Sequence, residues 1–155
     1  MGKKKKSPKA TEREAYGLKI LKASHPEVRR LKKEYEPEIH GNKFWNSSYL
    51  IMDYLAHQGL AEGARVLEVG CGWGLAGIYC AKFFGAKVVG VDADDKVFPY
   101  LELHAALNGV KVKTKKARFE DLKKKTLGEQ DLLIGGDICF WDEMVEPLFG
   151  LVEKA

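Results

Sequence analysis

The run Glu68-Val69-Gly70-Cys71-Gly72-Trp73-Gly74 lies between a short apolar stretch, 64–69, and a helix-forming stretch, 75–84. Glycines there let the backbone turn tightly and approach a ligand without a Cβ in the way. A helix start presents free N–H groups and the positive end of the helix dipole. Such a loop suits a nucleotide-like cofactor, and two cofactor classes use one. Gly72-x-Gly74-x-x-Gly77 matches the dinucleotide fingerprint. Glu68 adds an acid two residues before the first glycine. Beside a pyrophosphate that acid meets like charge, whereas a cofactor with a cationic amino-acid end suits it. Asp92 closes the apolar run VVGVD, 20 residues past Gly72. A carboxylate there can accept both hydroxyls of a ribose, which supports an adenosine ligand without choosing between the classes.

These residues need a frame, and the chain alternates accordingly. Strands are expected over 64–69, 87–91, 110–117 and 131–136. Helices are expected over 75–84, 96–107 (with Pro99 in the first turn) and 141–154. Unbroken apolar residues in Val88-Val89-Gly90-Val91 suit a strand buried on both faces. This β-α-β-α-β-loop-β-α order predicts an α/β fold with a parallel sheet and right-handed crossovers. Ligands bind such sheets beyond the carboxyl ends of the strands. Upstream, 47–58 reads as a helix capped by Ser47 and Ser48. Residues 12–36 read as helix in two pieces around His25-Pro26, with Leu18, Leu21, Val28, Leu31 and Tyr35 as its apolar stripe. Residues 1–11 read as a disordered Lys-rich tail, and 12–60 as an N-terminal helical segment.

E-x-G-x-G-x-G, followed by an acid closing the second strand, resembles the class I, seven-strand S-adenosylmethionine-dependent methyltransferases. The resemblance implies a Rossmann-like domain over 61–155 with spatial strand order 3-2-1-4. It implies that Gly70, Cys71, Gly72 and Gly74 hold the methionine and ribose portion of S-adenosyl-L-methionine. Glu68 then helps fix its amino group, and Asp92, followed by Ala93, binds the ribose. Asp137-Ile138-Cys139-Phe140 at the end of the fourth strand matches the D/E-x-x-F/Y mark of a branch resembling protein-lysine methyltransferases. Phe44-Trp45-Asn46-Ser47-Ser48 is similar to that branch's Trp-Asp/Asn segment, which implies that Trp45 lies against the cofactor. Phe119 is implied at the adenine, with Glu120 or Asp121 accepting its amino hydrogens. Arg118 stands where the family often has an acid. Asp137 and Phe140 are the implied catalytic pair: the carboxylate orients a lysine acceptor, and aromatic faces at Phe140 and Trp141 narrow the access and attract a cation.

The family has seven strands and this chain supplies four, so the expected sheet is truncated before strand 5 and its fourth strand is left at an edge. An apolar edge strand tends to pair, so self-association or a partner chain there is expected. The leading function is N-methylation of a protein lysine. The alternatives are a small-molecule methyltransferase and a non-catalytic cofactor-binding or assembly module. A nicotinamide-dependent oxidoreductase rests only on the fingerprint around Gly72.

Composition excludes other classes. Net charge is +4, with twelve Lys/Arg against six Glu in residues 1–40 and a mildly acidic remainder. The Lys-rich tail alone is poor evidence for nucleic acid, and the fourth-strand motif lacks the Pro-Pro-aromatic run of base methylation. No apolar run has the length of a membrane helix, and no signal-peptide core opens the chain. Three cysteines without C-x-x-C spacing and four scattered histidines predict no metal site and a reduced, cytoplasmic setting.

Overall fold

The computed structural model describes residues 11–38 and 44–155; the expected Lys-rich tail falls outside them except for Thr11. Its centre is a parallel sheet of β3 (Arg65–Val69), β4 (Lys87–Asp92), β5 (Lys113–Lys116) and β6 (Leu132–Gly135). The spatial order is β5-β4-β3-β6, the expected 3-2-1-4. β3 pairs in register with β4 (Val66 with Val88) and with β6 (Val66 with Leu132), and β4 pairs with β5 (Val91 with Lys115). Among the described residues, β6 has no strand on its other side.

Alternation along β3 serves two cores. Val66 points into a cluster with Ile78, Met52 and Val88. Leu67 and Val69 point into a second, with Val91, Leu122, Leu127 and Leu151. Both faces of the sheet are therefore buried, as its apolar runs require. The first face is covered by α2 (Ser47–Gln58) and α3 (Leu75–Phe84). The second is covered by the short α5 (Lys124–Gly128), which sequence reading did not anticipate, and by α6 (Val145–Lys154). α4 (Phe98–Leu107) carries Pro99 in its first turn, as expected, but starts two residues late behind a 3-10 turn at Asp95–Val97. A similar turn, Asp142–Met144, replaces the first part of the expected last helix.

The N-terminal helical segment is present as α1 (Pro26–Glu34) and α2, but its first piece is not a helix. Residues 12–21 form an antiparallel hairpin of β1 (Glu12–Ala15) and β2 (Leu18–Leu21). Tyr16 and Gly17, at φ 52° and 74°, make a two-residue turn with both dihedrals positive, the geometry that matches strand twist. Leu18 and Leu21 fit a helical stripe by spacing. Ile20 decides the matter: Leu18 and Ile20 are both fully buried while Lys19 between them is exposed. Side chains of α4 and of its C-terminal cap hold the hairpin down. Asn108 accepts from the Lys19 N–H (2.8 Å) and donates to the Lys19 carbonyl (2.9 Å). The Leu21 N–H donates to His104 Nε2 at 3.2 Å, and His104 Nδ1 lies 2.8 Å from the Tyr100 carbonyl, which requires the Nδ1–H tautomer. Ser47 and Ser48 lie inside α2 rather than capping it; Asn46 is the cap residue and makes no side-chain cap bond.

Candidate active site

The loop leaving β3 takes positive φ at every second residue: Gly70 at 58°, Gly72 at 51° and Gly74 at 69°. The glycines serve different ends. A Cβ on Gly70 would lie 2.5 Å from Ile138, and one on Gly74 would lie 2.5 Å from Leu101, so both are required by close packing. A Cβ on Gly72 would meet nothing within 4 Å; it would project into open space beside the cavity that Gly72 lines. Backbone bonds set the loop's height. Cys71 N–H donates to the Val91 carbonyl (3.0 Å), and Gly72 N–H donates to Asp92 Oδ2 (3.0 Å). Trp73 borders the cavity and packs into the core, stacked on Tyr100 (5.3 Å, 11°) and His104 (5.0 Å). It is 2% exposed and anchors the loop, a role its place in the motif does not disclose.

Glu68 is buried, and its Oε2 accepts from the Gly77 N–H at 2.9 Å. Gly74, the cap residue of α3, has no side chain, so Glu68 supplies the acceptor for the helix's third N–H from the neighbouring strand. Gly77 is glycine because a Cβ there would sit 2.5 Å from that same oxygen. The third glycine of the dinucleotide-like pattern thus has a reason unrelated to a pyrophosphate. Burial, opposed by the Gly77 bond and reinforced by Asp92, pushes the Glu68 carboxyl up to about 8. Asp92 is also raised, by burial first, against hydrogen bonds from Asp94 and Gly72. Burial likewise raises the Cys71 thiol well above its ordinary range, so it is an uncharged wall and not a nucleophile.

One cavity collects these groups beyond the carboxyl ends of the strands. Glu68, Cys71, Gly72, Asp92 and Ala93 form one side, with Arg118, Phe119 and Glu120 from the turn after β5. Trp45 from the start of α2 and Asp137, Ile138 and Phe140 from the segment after β6 form the other. Asp137 adopts a left-handed φ of 50°, uncommon for a residue with a side chain. Ile138 locks that turn, since Gly70 and Gly135 both leave room for its side chain. Trp45 and Phe140 meet with ring centroids 5.5 Å apart.

All the expected site residues therefore come together. Two neighbouring residues lie outside the cavity lining. Asp121 turns its carboxylate back onto the Arg118 N–H (3.0 Å), so Glu120 is the acid of that pair that lines the cavity. Trp141 packs beside Phe140 at 6.0 Å but does not line the cavity; Glu143, Met144 and Pro147 do. Asp94 was missed: it is buried, and it accepts from Glu38 N–H (2.7 Å) and Lys96 N–H (3.1 Å), fastening the chain before α2 to the end of β4. Its signal is the second acid of Asp92-Ala93-Asp94, which reads as surface charge without the fold.

Comparison with known proteins bears on this geometry. The profile of a family described as "Lysine methyltransferase" matches residues 26–155. The chain belongs to that family. Its fold is that of the class I S-adenosylmethionine-dependent methyltransferases. Curated relatives include ubiquinone biosynthesis O-methyltransferases: 36% identity over 75 residues with that of Bordetella avium (48% of this chain, 31% of the relative). The one from Cereibacter sphaeroides shares 35% over 110 residues (63% and 42%). The family member thus spans less than half the length of these relatives. Among solved structures, the N-terminal domain of EvdMO1 with S-adenosylhomocysteine bound overlays with a TM-score of 0.59 at 23% identity, over 83% of this chain and 58% of that one. The ribosomal protein L11 methylase of Lactobacillus delbrueckii gives 0.54 at 24%, over 72% and 53%. PKMT2 of Rickettsia typhi in complex with AdoHcy gives 0.51 at 21%, over 61% and 19%. At these identities the likeness is one of fold. Among the described residues no helix is long and apolar enough to cross a membrane.

Proposed function

We propose that this chain binds S-adenosyl-L-methionine in the cavity and transfers its methyl group to the amine of a protein lysine. One observation carries the cofactor reading: Glu68, the open cradle at Gly72 and Asp92 line a single cavity. The residues fit the group. Glu68 keeps one oxygen beyond the Gly77 bond for an amino group, Gly72 leaves the space a Cβ would fill, and Asp92 presents a carboxylate for ribose hydroxyls. Phe119 flanks the adenine and Glu120 accepts from its amino group. A bound sulfonium supplies an already activated methyl carbon, so the protein's task is to align the acceptor and exclude water. The lysine ammonium gives up a proton to solvent before transfer, and Asp137 orients the neutral amine by accepting its N–H hydrogen bond. Phe140 and Trp45 present ring faces that attract a cationic side chain and close the approach around it.

The acceptor reading rests on the family description together with the Asp137–Phe140 turn at the cavity. A second reading, methylation of a small molecule, is favoured by the curated relatives, which are O-methyltransferases of ubiquinone biosynthesis. Labelled methyl donor incubated with the chain and a cell lysate separates the two. Label in protein, removed by Asp137→Ala and Phe140→Ala, supports lysine methylation. Label confined to the low-mass fraction supports the small-molecule reading. The cofactor is tested first, by calorimetric titration with S-adenosylhomocysteine, with NAD and Asp92→Ala as controls. Saturable binding that NAD does not reproduce and Asp92→Ala weakens supports the reading. No binding by a folded sample would leave only the non-catalytic assembly module.

A further inference from the structure

Eight of the fifteen residues from 111 to 125 are Lys or Arg, against two acids. All eight basic residues are exposed. The segment contains β5, an outer strand, which pairs with β4 and with no other strand among the described residues. Lys113 and Lys115 stand opposite Val89 and Val91 in register, hence on the sheet face that packs on Leu122 and Leu127. They are two residues apart, a repeat of about 6.5 Å. Lys123–Lys125 lead into α5 against the same face. Asp121, one of the two acids, accepts from the backbone N–H of Arg118, and Lys116 is offset by Asp95 at 3.2 Å. Arg118 lines the cavity. The basic strip therefore runs from the open strand edge to the cavity's rim.

Lysines on an edge strand repel a second copy of that strand, because like charges directly opposite destabilise pairing. The same row favours an acidic strand. We propose that the open edge of β5 and the basic turn leading into α5 dock an acidic, extended segment of the protein whose lysine is methylated, aligned along the strip towards Arg118. The proposal rests on the protein-acceptor reading above. An extended peptide fits a free strand edge, which offers backbone pairing as well as charge. A nucleic acid fits less well, because the one aromatic residue of the segment, Phe119, faces the cofactor cavity and leaves the strip no ring on which successive bases could stack.

The test is fluorescence anisotropy of the full chain with a labelled peptide of alternating Glu and Thr, at low and at physiological salt. The peptide should bind, more weakly as salt rises. Lys113→Glu with Lys115→Glu should weaken binding about tenfold or more, on the order of 1.4 kcal/mol. Arg29→Glu with Lys33→Glu on α1 makes the same change in net charge far along the chain and should leave binding within about twofold. Both double variants should keep their affinity for S-adenosylhomocysteine, which shows that they fold. Absence of peptide binding, or equal weakening in both pairs, overturns the proposal. So does a single-stranded oligonucleotide that binds more tightly than the peptide and is lost with Lys113 and Lys115. Binding is read without turnover. A chain that docks the peptide but methylates no lysate protein therefore refutes the acceptor reading alone.

Discussion

At Glu68 a single carboxyl serves two masters, and pH separates them. Its folded value of about 8 lies above the ordinary 4.5, so the uncharged form is favoured in the folded chain. The stability this contributes is fully present below pH 4.5 and is lost as pH rises through about 8. Glu68→Gln keeps an acceptor for Gly77 and removes the titration. Chemical denaturation should show the variant gaining on the native chain between pH 5 and pH 9, by on the order of a few kcal/mol. A cationic amino group placed beside Glu68 favours the ionised form. S-adenosylhomocysteine should therefore release a proton on binding near neutral pH. Titrations in buffers of different ionisation enthalpy should reveal it, and Glu68→Gln should abolish it. A buffer-independent heat with the native chain would mean that Glu68 does not meet the amino group. The glycines make a separate prediction. Gly70→Ala and Gly74→Ala collide with Ile138 and Leu101 and should lower Tm clearly. Gly72→Ala carries only dihedral strain, about 1–2 kcal/mol, and should act mainly on ligand affinity.

The elements are tied together by side chains standing in for backbone. Among the described residues the hairpin has no third strand; His104 of α4 and Asn108 at its C-terminal cap take that place by bonding Leu21 and Lys19. Asn108→Ala leaves an N–H and a carbonyl of Lys19 without these partners, a cost of about 1–3 kcal/mol. Hydrogen exchange should then accelerate at 18–21 before it changes in β3 or β4. Burial lowers the His104 pKa below its ordinary 6.5. Its neutral ring is thus required, and stability is full above about 6.5 and falls as pH drops from there towards the lower folded value. Acid-side loss of Tm in a Glu68→Gln background should flatten in His104→Gln. The hairpin was hidden in the sequence because Leu18 and Leu21 satisfy a helical period as well as a docked strand. Only the positive φ at Tyr16-Gly17 and the burial of Ile20 distinguish them. Three strands of the parallel sheet, β3, β4 and β6, were legible because their apolar runs are short and bounded by Gly and Asp; β5 is Lys-Thr-Lys-Lys and has no such run.

For the whole molecule, the cavity joins the ends of β3, β4 and β6 to the start of α2, so a ligand there bridges elements from both halves of the chain. At a hundredfold excess over its Kd, S-adenosylhomocysteine should stabilise the fold by about 2.7 kcal/mol, raising Tm by roughly 5–10 °C. NAD should not. Trp45 and Trp73 both line the cavity, so binding should also change tryptophan fluorescence, and Trp45→Phe should reduce that change. The amino-acid sequence by itself determined the cofactor loop and the meeting of Asp92 and Glu68 at one end of a parallel sheet, while the strand order came from the resemblance to the seven-strand family. Those follow from local spacing and from the fixed handedness of parallel crossovers. The tertiary structure alone decided how the groups divide their work. It spent one oxygen of Glu68 on Gly77, and set Trp73, Asp94 and Ile138 to hold the loops in place. These assignments depend on which neighbour each side chain reaches across the fold, and contacts between residues far apart in the chain leave no periodic trace along it.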